Sequence, residues 1–137
     1  MQFEKTELIV PSEYIDCYGH VHYKDYLNIF QKARIEFLER RGLSLIGLEE
    51  MNMRLVTRHM EIEYIHELLL ADEVTIHTNI MRLGETSITF YQSIVRGNDG
   101  TVATCKQVFV LIDKRTRLKI KIPDDLRTKL LSERVEG

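Results

Sequence analysis

The stretch DCYGHVHYKDYLNIFQKAR, residues 16–34, begins as a polar turn and continues as a helix. Apolar residues recur there at helical spacing, in a stripe that extends to residue 38: Tyr26, Leu27, Phe30, Ala33, Phe37 and Leu38. Charged residues fall mostly outside this stripe. The pattern therefore predicts an amphipathic helix over residues 24–40, with Gly42 as its C-terminal stop.

Strand patterns dominate the chain on either side of this helix. A short helical turn is predicted over residues 45–51, a first strand over residues 7–10, and a terminal helix from Pro123 with Asp124 as its cap. Alternating apolar and polar residues predict four further strands, near residues 60–64, 74–80, 88–94 and 102–112. The sequence thus predicts a single α+β domain over residues 1–137, in which one long central helix is wrapped by a curved antiparallel sheet of about five strands.

Composition and charge exclude several classes of protein. The 137 residues are 44% hydrophobic and 29% charged, and their net charge is -2, so the basic excess of a nucleic-acid surface is missing. No apolar run approaches the ~20 residues of a membrane span, and the first residues lack the order of a signal peptide. Two cysteines are too few for a disulfide framework. We expect a soluble cytoplasmic protein without nucleic-acid or membrane partners.

The turn before the helix concentrates ionisable side chains, at Asp16, Cys17, His20 and His22. The spacing of the two histidines does not match the usual spacing of zinc ligands, so we predict no metal site. Cys17 could act as a nucleophile with one of the histidines as its base, because a thiolate near a helix N-terminus is stabilised. A lone cysteine is, however, more often a small buried residue.

Asp16 is the candidate catalytic residue. Gly19 permits the sharp bend that leads the chain into the helix. The N–H groups of the first helical turn, from about Tyr23 onward, have no helical acceptor and could polarise a carbonyl oxygen. A carboxylate, an oxyanion site and an apolar groove along the helix together suit acyl transfer. The residues alone leave open the alternative that Asp16 only caps the turn.

Longer motifs extend across most of the chain. The residues Asp16, Gly19, His20, Val21, Tyr26, Ala33 and Arg34 match a pattern D-x-x-G-H-V followed by Tyr and a helix that ends near an Ala-Arg pair. The segments HMEIEYI, LADEVTIHTNIMRLGETSITF and GTVATCKQVFVLID complete the match. With them the chain resembles the hotdog-fold acyl-CoA thioesterases of the 4-hydroxybenzoyl-CoA thioesterase type. It departs from that family at Tyr14, where the motif has another acid, and at His22, where the motif has Asn.

The resemblance implies an enzyme that hydrolyses acyl-CoA to a carboxylic acid and free coenzyme A. Asp16 would be the catalytic nucleophile or general base, and the backbone N–H of Tyr23 would polarise the thioester carbonyl. The substrate-binding residues would be Gly19, His20, His22, Arg58, His59, Thr86 and Ser87. Alternatives with the same fold are an acyl carrier protein thioesterase and a non-catalytic acyl-CoA-binding protein.

The resemblance also implies the assembly and the cofactor requirement. Sites of this family form between two subunits, and Arg58 and His59 would face a neighbouring active site. We expect a homodimer at least, and a homotetramer as the full assembly. Strands that read as apolar on both faces also favour a partner subunit that helps to bury the sheet. Coenzyme A enters only as part of the substrate, and no other cofactor is expected.

Overall fold

A computed structural model of the chain describes residues 4–132. Its helices and strands follow in the order β1 (Glu4–Ile9), α1 (Asp25–Glu39), α2 (Leu45–Glu50), β2 (Met53–Tyr64), β3 (Glu73–Leu83), β4 (Ser87–Arg96), β5 (Gly100–Asp113) and α3 (Asp124–Leu131). Among these described residues, no helix is long and apolar enough to cross a bilayer.

The five strands form one antiparallel sheet with the spatial order β1-β3-β4-β5-β2. Strands β3, β4 and β5 follow one another as a meander, and β2 adds to the far side of β5. Edge strand β2 carries a register shift between Thr57 and His59, so Arg58 is the extra residue at a bulge. The predicted antiparallel sheet of about five strands is confirmed.

Helix α1 covers one face of this sheet with the apolar stripe that the sequence indicates. The side chains of Ile29, Phe30 and Ala33 lie in one core cluster with residues of β3, β4 and β5. Phe37 lies in a second cluster, where its ring meets Phe90 edge-on at 5.7 Å between centroids. Burial of each large apolar side chain stabilises the fold by about 2 kcal/mol. This packing fixes α1, and with it the turn that leads into α1, on the sheet.

One member of the predicted stripe is not in the core. Leu27 is 39% exposed, whereas Ile29 is 1% exposed and occupies the core position instead. Leu27 faces a cavity between α1 and strands β2 and β5. The prediction that Leu27 belongs to the core is therefore wrong, because a cavity separates its side of α1 from strands β2 and β5.

The outward face of the sheet differs from the expectation of an apolar surface on both sides. On β3 and β4 the side chains that alternate with the buried ones are Thr75, His77, Tyr91 and Ser93, all half-buried and polar or amphipathic. On these two strands, the buried apolar side chains thus lie on the face that α1 covers. Burial by a partner therefore has less support from this face than the sequence suggested.

Three boundaries were predicted wrongly. Strand β1 begins at Glu4 because it pairs with β3 from Glu4 opposite Thr78, a contact far away in sequence. Strand β2 likewise begins at Met53, well before residue 60, because it pairs with β5 along that whole length. Asp124 is the first residue of α3 and provides no side-chain cap, because Pro123 occupies the cap position.

Candidate active site

The turn before α1 is closed by the carboxylate of Asp16. Its Oδ1 accepts hydrogen bonds from the backbone N–H groups of Tyr18 at 2.9 Å and His20 at 3.3 Å. The backbone closes the same turn, since Asp16 N–H donates to the His20 carbonyl at 2.8 Å and Gly19 adopts a φ of +82°. Asp16 does therefore cap the turn. Among the described residues no donor contacts Oδ2, so half of the carboxylate is not used by the cap.

The two histidines of the turn have partners of their own. His20 Nε2 lies 3.1 Å from Glu67 Oε2, and His22 Nδ1 accepts the backbone N–H of Lys24 at 3.2 Å. Cys17 is exposed, and its thiol is hydrogen-bonded to neither histidine in residues 4–132. The geometry therefore lacks the thiol–imidazole pair that a cysteine nucleophile requires.

The peptide groups at the start of α1 are held in place from both sides. The Tyr23 carbonyl accepts the hydroxyl of Tyr64 at 3.2 Å, and the Asp25 N–H donates to the His22 carbonyl at 2.8 Å. The Tyr23 N–H meets no acceptor within the described part of the chain. This amide, at the helix N-terminus and a few residues from Asp16, is thus available to a ligand oxygen.

Tyr26 attaches the neighbouring loop to the first turn of α1. Its hydroxyl accepts the backbone N–H of Leu68 at 3.2 Å, and its ring meets Tyr64 edge-on at 5.0 Å. Burial raises the pKa of the Tyr26 phenol, which therefore stays protonated at neutral pH. The turn, the loop and the end of β2 are thereby joined around one buried side chain.

A second group of predicted residues meets on the face of the sheet away from α1. Arg58, His59 and Ser87 line an open groove of about 690 Å³ there, together with Arg82 and Lys106. Three of these five side chains are permanent cations, so the groove suits an anionic ligand. Arg82 and Lys106 were not predicted. The strand alternation puts Arg82 on the same face as the buried Val74, Ile76 and Ile80, and the register shift between Ile80 and Arg82 is not visible in the sequence pattern.

Two neighbouring residues qualify this picture. Thr86 is adjacent to Ser87 in the chain but does not line the groove, and its carbonyl accepts the Leu111 N–H at 2.9 Å. His59 Nε2 lies 3.1 Å from Glu61 Oε1, and this hydrogen bond lowers the pKa of Glu61. Of the four predicted strand residues, the structure therefore brings three together.

Within one chain, the groove and the turn are far apart. Tyr64 contacts the turn through Tyr23, whereas Arg58 lies six positions earlier on β2. At ~3.3 Å per residue this separates them by about 20 Å. Residues of the two groups would meet only if a second chain contributed one of them.

A cavity of about 340 Å³ runs along α1 on its side toward β2 and β5. Leu27, Ile35 and Leu38 supply an apolar wall from α1, and Arg34 projects into the same cavity. The Arg34 guanidinium donates from Nη1 to Gln107 Oε1 at 2.9 Å, and burial lowers the pKa of Arg34 to about 10. Arg34 matches the thioesterase motif in the sequence, but no role was predicted for it.

Comparison with known proteins identifies the family. A family model described as the thioesterase-like superfamily matches residues 10–130. The chain belongs to this superfamily. Its antiparallel sheet with α1 on one face is accordingly the hotdog thioesterase fold, and a thioesterase-type member is what the sequence resemblance predicted.

Individual relatives agree with this assignment. The long-chain acyl-CoA thioesterase FadM of Escherichia coli is 29% identical over 127 residues, which cover 92% of this chain and 96% of FadM. The acyl-CoA thioester hydrolase YbgC of Escherichia coli is 29% identical over 118 residues, 86% of this chain and 85% of YbgC. A Staphylococcus aureus protein solved in complex with CoA superposes with a TM-score of 0.86 at 26% identity, over 93% of this chain and 81% of that one.

No group of three or more metal-ligating side chains occurs in residues 4–132. The histidines of the turn are partnered by Glu67 and by the Lys24 amide, as described above. The arrangement at the turn thus offers a carboxylate oxygen and an amide N–H as its chemical groups.

Proposed function

We propose that this protein is an acyl-CoA thioesterase that hydrolyses the thioester to a carboxylic acid and free coenzyme A. One observation carries the proposal: the half-used carboxylate of Asp16 and the acceptor-free N–H of Tyr23 lie on the same turn, at the start of α1. The names of the thioesterase relatives support the reaction, and the cavity along α1 supports an acyl substrate.

The proposed mechanism divides the work between these two groups. Oδ2 of Asp16 attacks the thioester carbonyl, or removes a proton from the water that does so, while Oδ1 stays fixed by the amides of Tyr18 and His20. The Tyr23 N–H stabilises the negative charge that develops on the carbonyl oxygen, an effect of about 3 kcal/mol per donor. When Asp16 acts as the base, water adds to the carbonyl carbon, the C–S bond breaks, and the proton held by Asp16 passes to the departing coenzyme A thiolate. When Asp16 acts as the nucleophile, the C–S bond breaks to leave an acyl–Asp16 anhydride and the coenzyme A thiolate. Water then hydrolyses this anhydride, which releases the carboxylic acid, returns the Asp16 carboxylate and supplies the proton that the thiolate takes up.

We further propose that the complete site forms between two subunits. Strand β2 is a twelve-residue edge strand, and such an edge readily pairs with another chain. Pairing of β2 with the same strand of a second copy would bring Arg58 and His59 of one subunit toward the turn of the other. In this assembly each hotdog unit is one domain, with its sheet curved round α1 as the central helix. The association of two dimers into a tetramer stays a prediction.

The basic groove lined by Arg58, Arg82 and Lys106 is the proposed binding site for coenzyme A. Arg58, Arg82 and Lys106 would bind its phosphates, and Ser87 would donate to its pantetheine arm or its nucleotide. Gly19, His20 and His22 would shape the turn at which the thioester arrives. Thr86 would act through the backbone that holds Ser87 rather than by direct contact.

Substitution of Asp16 by Asn tests the catalytic assignment. The Asn Oδ1 can still accept from Tyr18 and His20, so the turn is kept while the negative charge is lost. We expect D16N to fold normally and to lose turnover by a factor of at least ~10², measured as release of free thiol from short, long and aromatic acyl-CoAs. The matched control is Asp25→Asn, which removes another carboxylate near the start of α1, one that accepts from Asn28.

Near-normal turnover by D16N would show that Asp16 only caps the turn. Equal losses in D16N and D25N would instead point to a general effect of charge at the helix start. Tight acyl-CoA binding by the wild type without release of thiol would support the non-catalytic alternative. The thiols of Cys17 and Cys105 are subtracted with a blank that lacks substrate.

An acyl carrier protein thioesterase is the second candidate, because the same basic groove would suit an acidic carrier protein. A comparison of one acyl group on coenzyme A and on acyl carrier protein, at equal concentration, separates the two. A higher kcat/KM on the carrier protein would replace the first proposal with the second.

A further inference from the structure

The cavity beside α1 begins close to the proposed reaction centre and follows one side of the helix. Its α1 residues are Leu27, Gln31, Arg34, Ile35 and Leu38, which share one side of the helix by their spacing. Leu27 lies four residues beyond Tyr23, which is ~6 Å at ~1.5 Å per residue. Arg34 lies ~10 Å further along. An acyl chain that starts at the turn would therefore pass Leu27 and Gln31 first and then reach Arg34.

Among the residues that the structure describes, Arg34 is a cation without an anionic partner. In the described range, residues 4–132, its only hydrogen bond is from Nη1 to Gln107 Oε1, and no carboxylate lies within ion-pair distance. Its guanidinium stands over the Phe109 ring at 4.7 Å from the centroid. Removal of a charge from water costs free energy unless the charge is paired, so binding of an anion beside Arg34 would be favourable.

The surroundings hold the guanidinium in a fixed orientation. Gln107 accepts from Arg34 and in turn donates from Nε2 to Thr57 Oγ1 at 3.0 Å. The Phe109 ring supports one face of the guanidinium. The remaining N–H groups of Arg34 donate to no other residue in the described range, and a planar guanidinium held in this way is suited to a carboxylate.

From this arrangement we infer that Arg34 binds a carboxylate at the far end of the acyl group, so that the cavity selects dicarboxylic acyl chains of medium length. The inference rests on the proposed thioesterase function for the identity of the substrate. The ligand that fits is apolar along most of its length, because most of the residues that line the cavity are apolar, and it is anionic where its end reaches Arg34, the cation among them.

Direct binding tests this assignment without any turnover. The probes are octanoate and octanamide, which have the same chain but differ in charge, with affinity measured by calorimetry on the full chain. We expect octanoate to bind about tenfold or more tightly than octanamide, because a charge-assisted hydrogen bond is stronger than a neutral one. Arg34→Met should abolish this preference, and Arg34→Lys should keep part of it. Lys32→Met, an exposed cation on the same helix, is the matched control and should keep all of it.

The second measurement uses suberyl-CoA and octanoyl-CoA as a matched pair of substrates. The ratio of their kcat/KM values should favour suberyl-CoA in the wild type and fall at least tenfold in R34M. If R34M does not fold, Arg34→Gln takes its place, since it also removes the charge and keeps a polar group of similar reach.

The results separate this inference from the proposed function. Equal binding of the two probes, no binding of octanoate, or a preference that R34M retains would overturn the role of Arg34. Failure to hydrolyse any acyl-CoA would overturn the thioesterase proposal and would leave the octanoate measurement intact.

Discussion

Two arginines at the second half of α1 and just beyond it are both withdrawn from solvent, and they differ in what they contact. Arg41 is 3% exposed and is paired with Glu4 at 3.3 Å, and it donates to the carbonyls of Phe37 and Ser132. Arg34, seven residues earlier, has Gln107 as its one hydrogen-bond partner among the described residues and faces a cavity. Arg41 therefore has an ion pair and hydrogen bonds within the described residues, whereas Arg34 has a single hydrogen bond and no ion pair there.

This difference indicates what each side chain contributes. Arg41 connects the end of α1 to β1 through Glu4 and to the end of α3 through Ser132, so its contacts hold separate elements together. Arg34 connects α1 to β5 through the Gln107 amide, lines a cavity, and has no other hydrogen-bond partner among the described residues. We therefore read Arg41 as part of the fold and Arg34 as part of a binding site.

The largest expected effect is the loss of stability on substitution of Arg41. Arg41→Met removes one of the two ion-pair partners of Glu4, which keeps Arg40, and the donor to the carbonyls of Phe37 and Ser132, so the free energy of unfolding should fall by about 3 kcal/mol. Urea denaturation followed by circular dichroism measures it, with Lys32→Met as the exposed control. If the free energy of unfolding fell no further than in Lys32→Met, Arg41 would not hold α1, β1 and α3 together. The contrast drawn between Arg41 and Arg34 would then be wrong for Arg41.

A smaller effect of the opposite sign is expected for Arg34→Met. A methionine fills much of the same volume without a buried charge, so the free energy of unfolding should stay the same or rise by ~1 kcal/mol. The same denaturation experiment measures it beside R41M. If R34M were destabilised as much as R41M, Arg34 would be a structural residue, and its open donors would carry no functional meaning.

The parts of the fold that could be predicted from the sequence depend on residues close together in the chain. The helical stripe of α1 and the turn at Gly19 are local patterns, and both are found, apart from Leu27 in the stripe. The start of β1 at Glu4 was missed because it is set by pairing with Thr78. Leu27 was misplaced because periodicity identifies one face of a helix but not a cavity between that face and the sheet.

The candidate site divides in the same way. Asp16 and the Tyr23 amide are seven residues apart, so the local pattern of a turn followed by a helix was enough to predict that they belong to one site. Arg34 and Gln107 are 73 residues apart, and no sequence pattern connects them. The ion pair of His20 with Glu67 could not be predicted either, because the two residues lie far apart in the sequence. Contacts between residues that are distant in the sequence could not be predicted from local patterns.

The smallest expected effect concerns Cys105, the buried thiol on β5 that lies close enough to Arg34 to be influenced by its charge. Burial raises the pKa of the Cys105 thiol from 9.0 to about 11, and the positive charge of Arg34 acts against this rise. Between pH 9 and pH 11 the unfolded chain releases this proton while the folded chain keeps it. The folded state binds more protons there, so this contribution to stability is complete below pH 9 and is lost as the pH rises through the window.

Comparison of wild type with Cys105→Ala isolates that contribution. Over this alkaline range the wild type should lose on the order of 1 kcal/mol more unfolding free energy than C105A, because only the wild type carries the thiol. Tyrosines such as Tyr26 titrate in the same range, but they are present in both proteins and cancel in the difference. Arg34, whose pKa is lowered to about 10, also loses its charge inside this range, but it too is present in both proteins. Identical pH profiles for wild type and C105A would contradict a raised pKa for the Cys105 thiol.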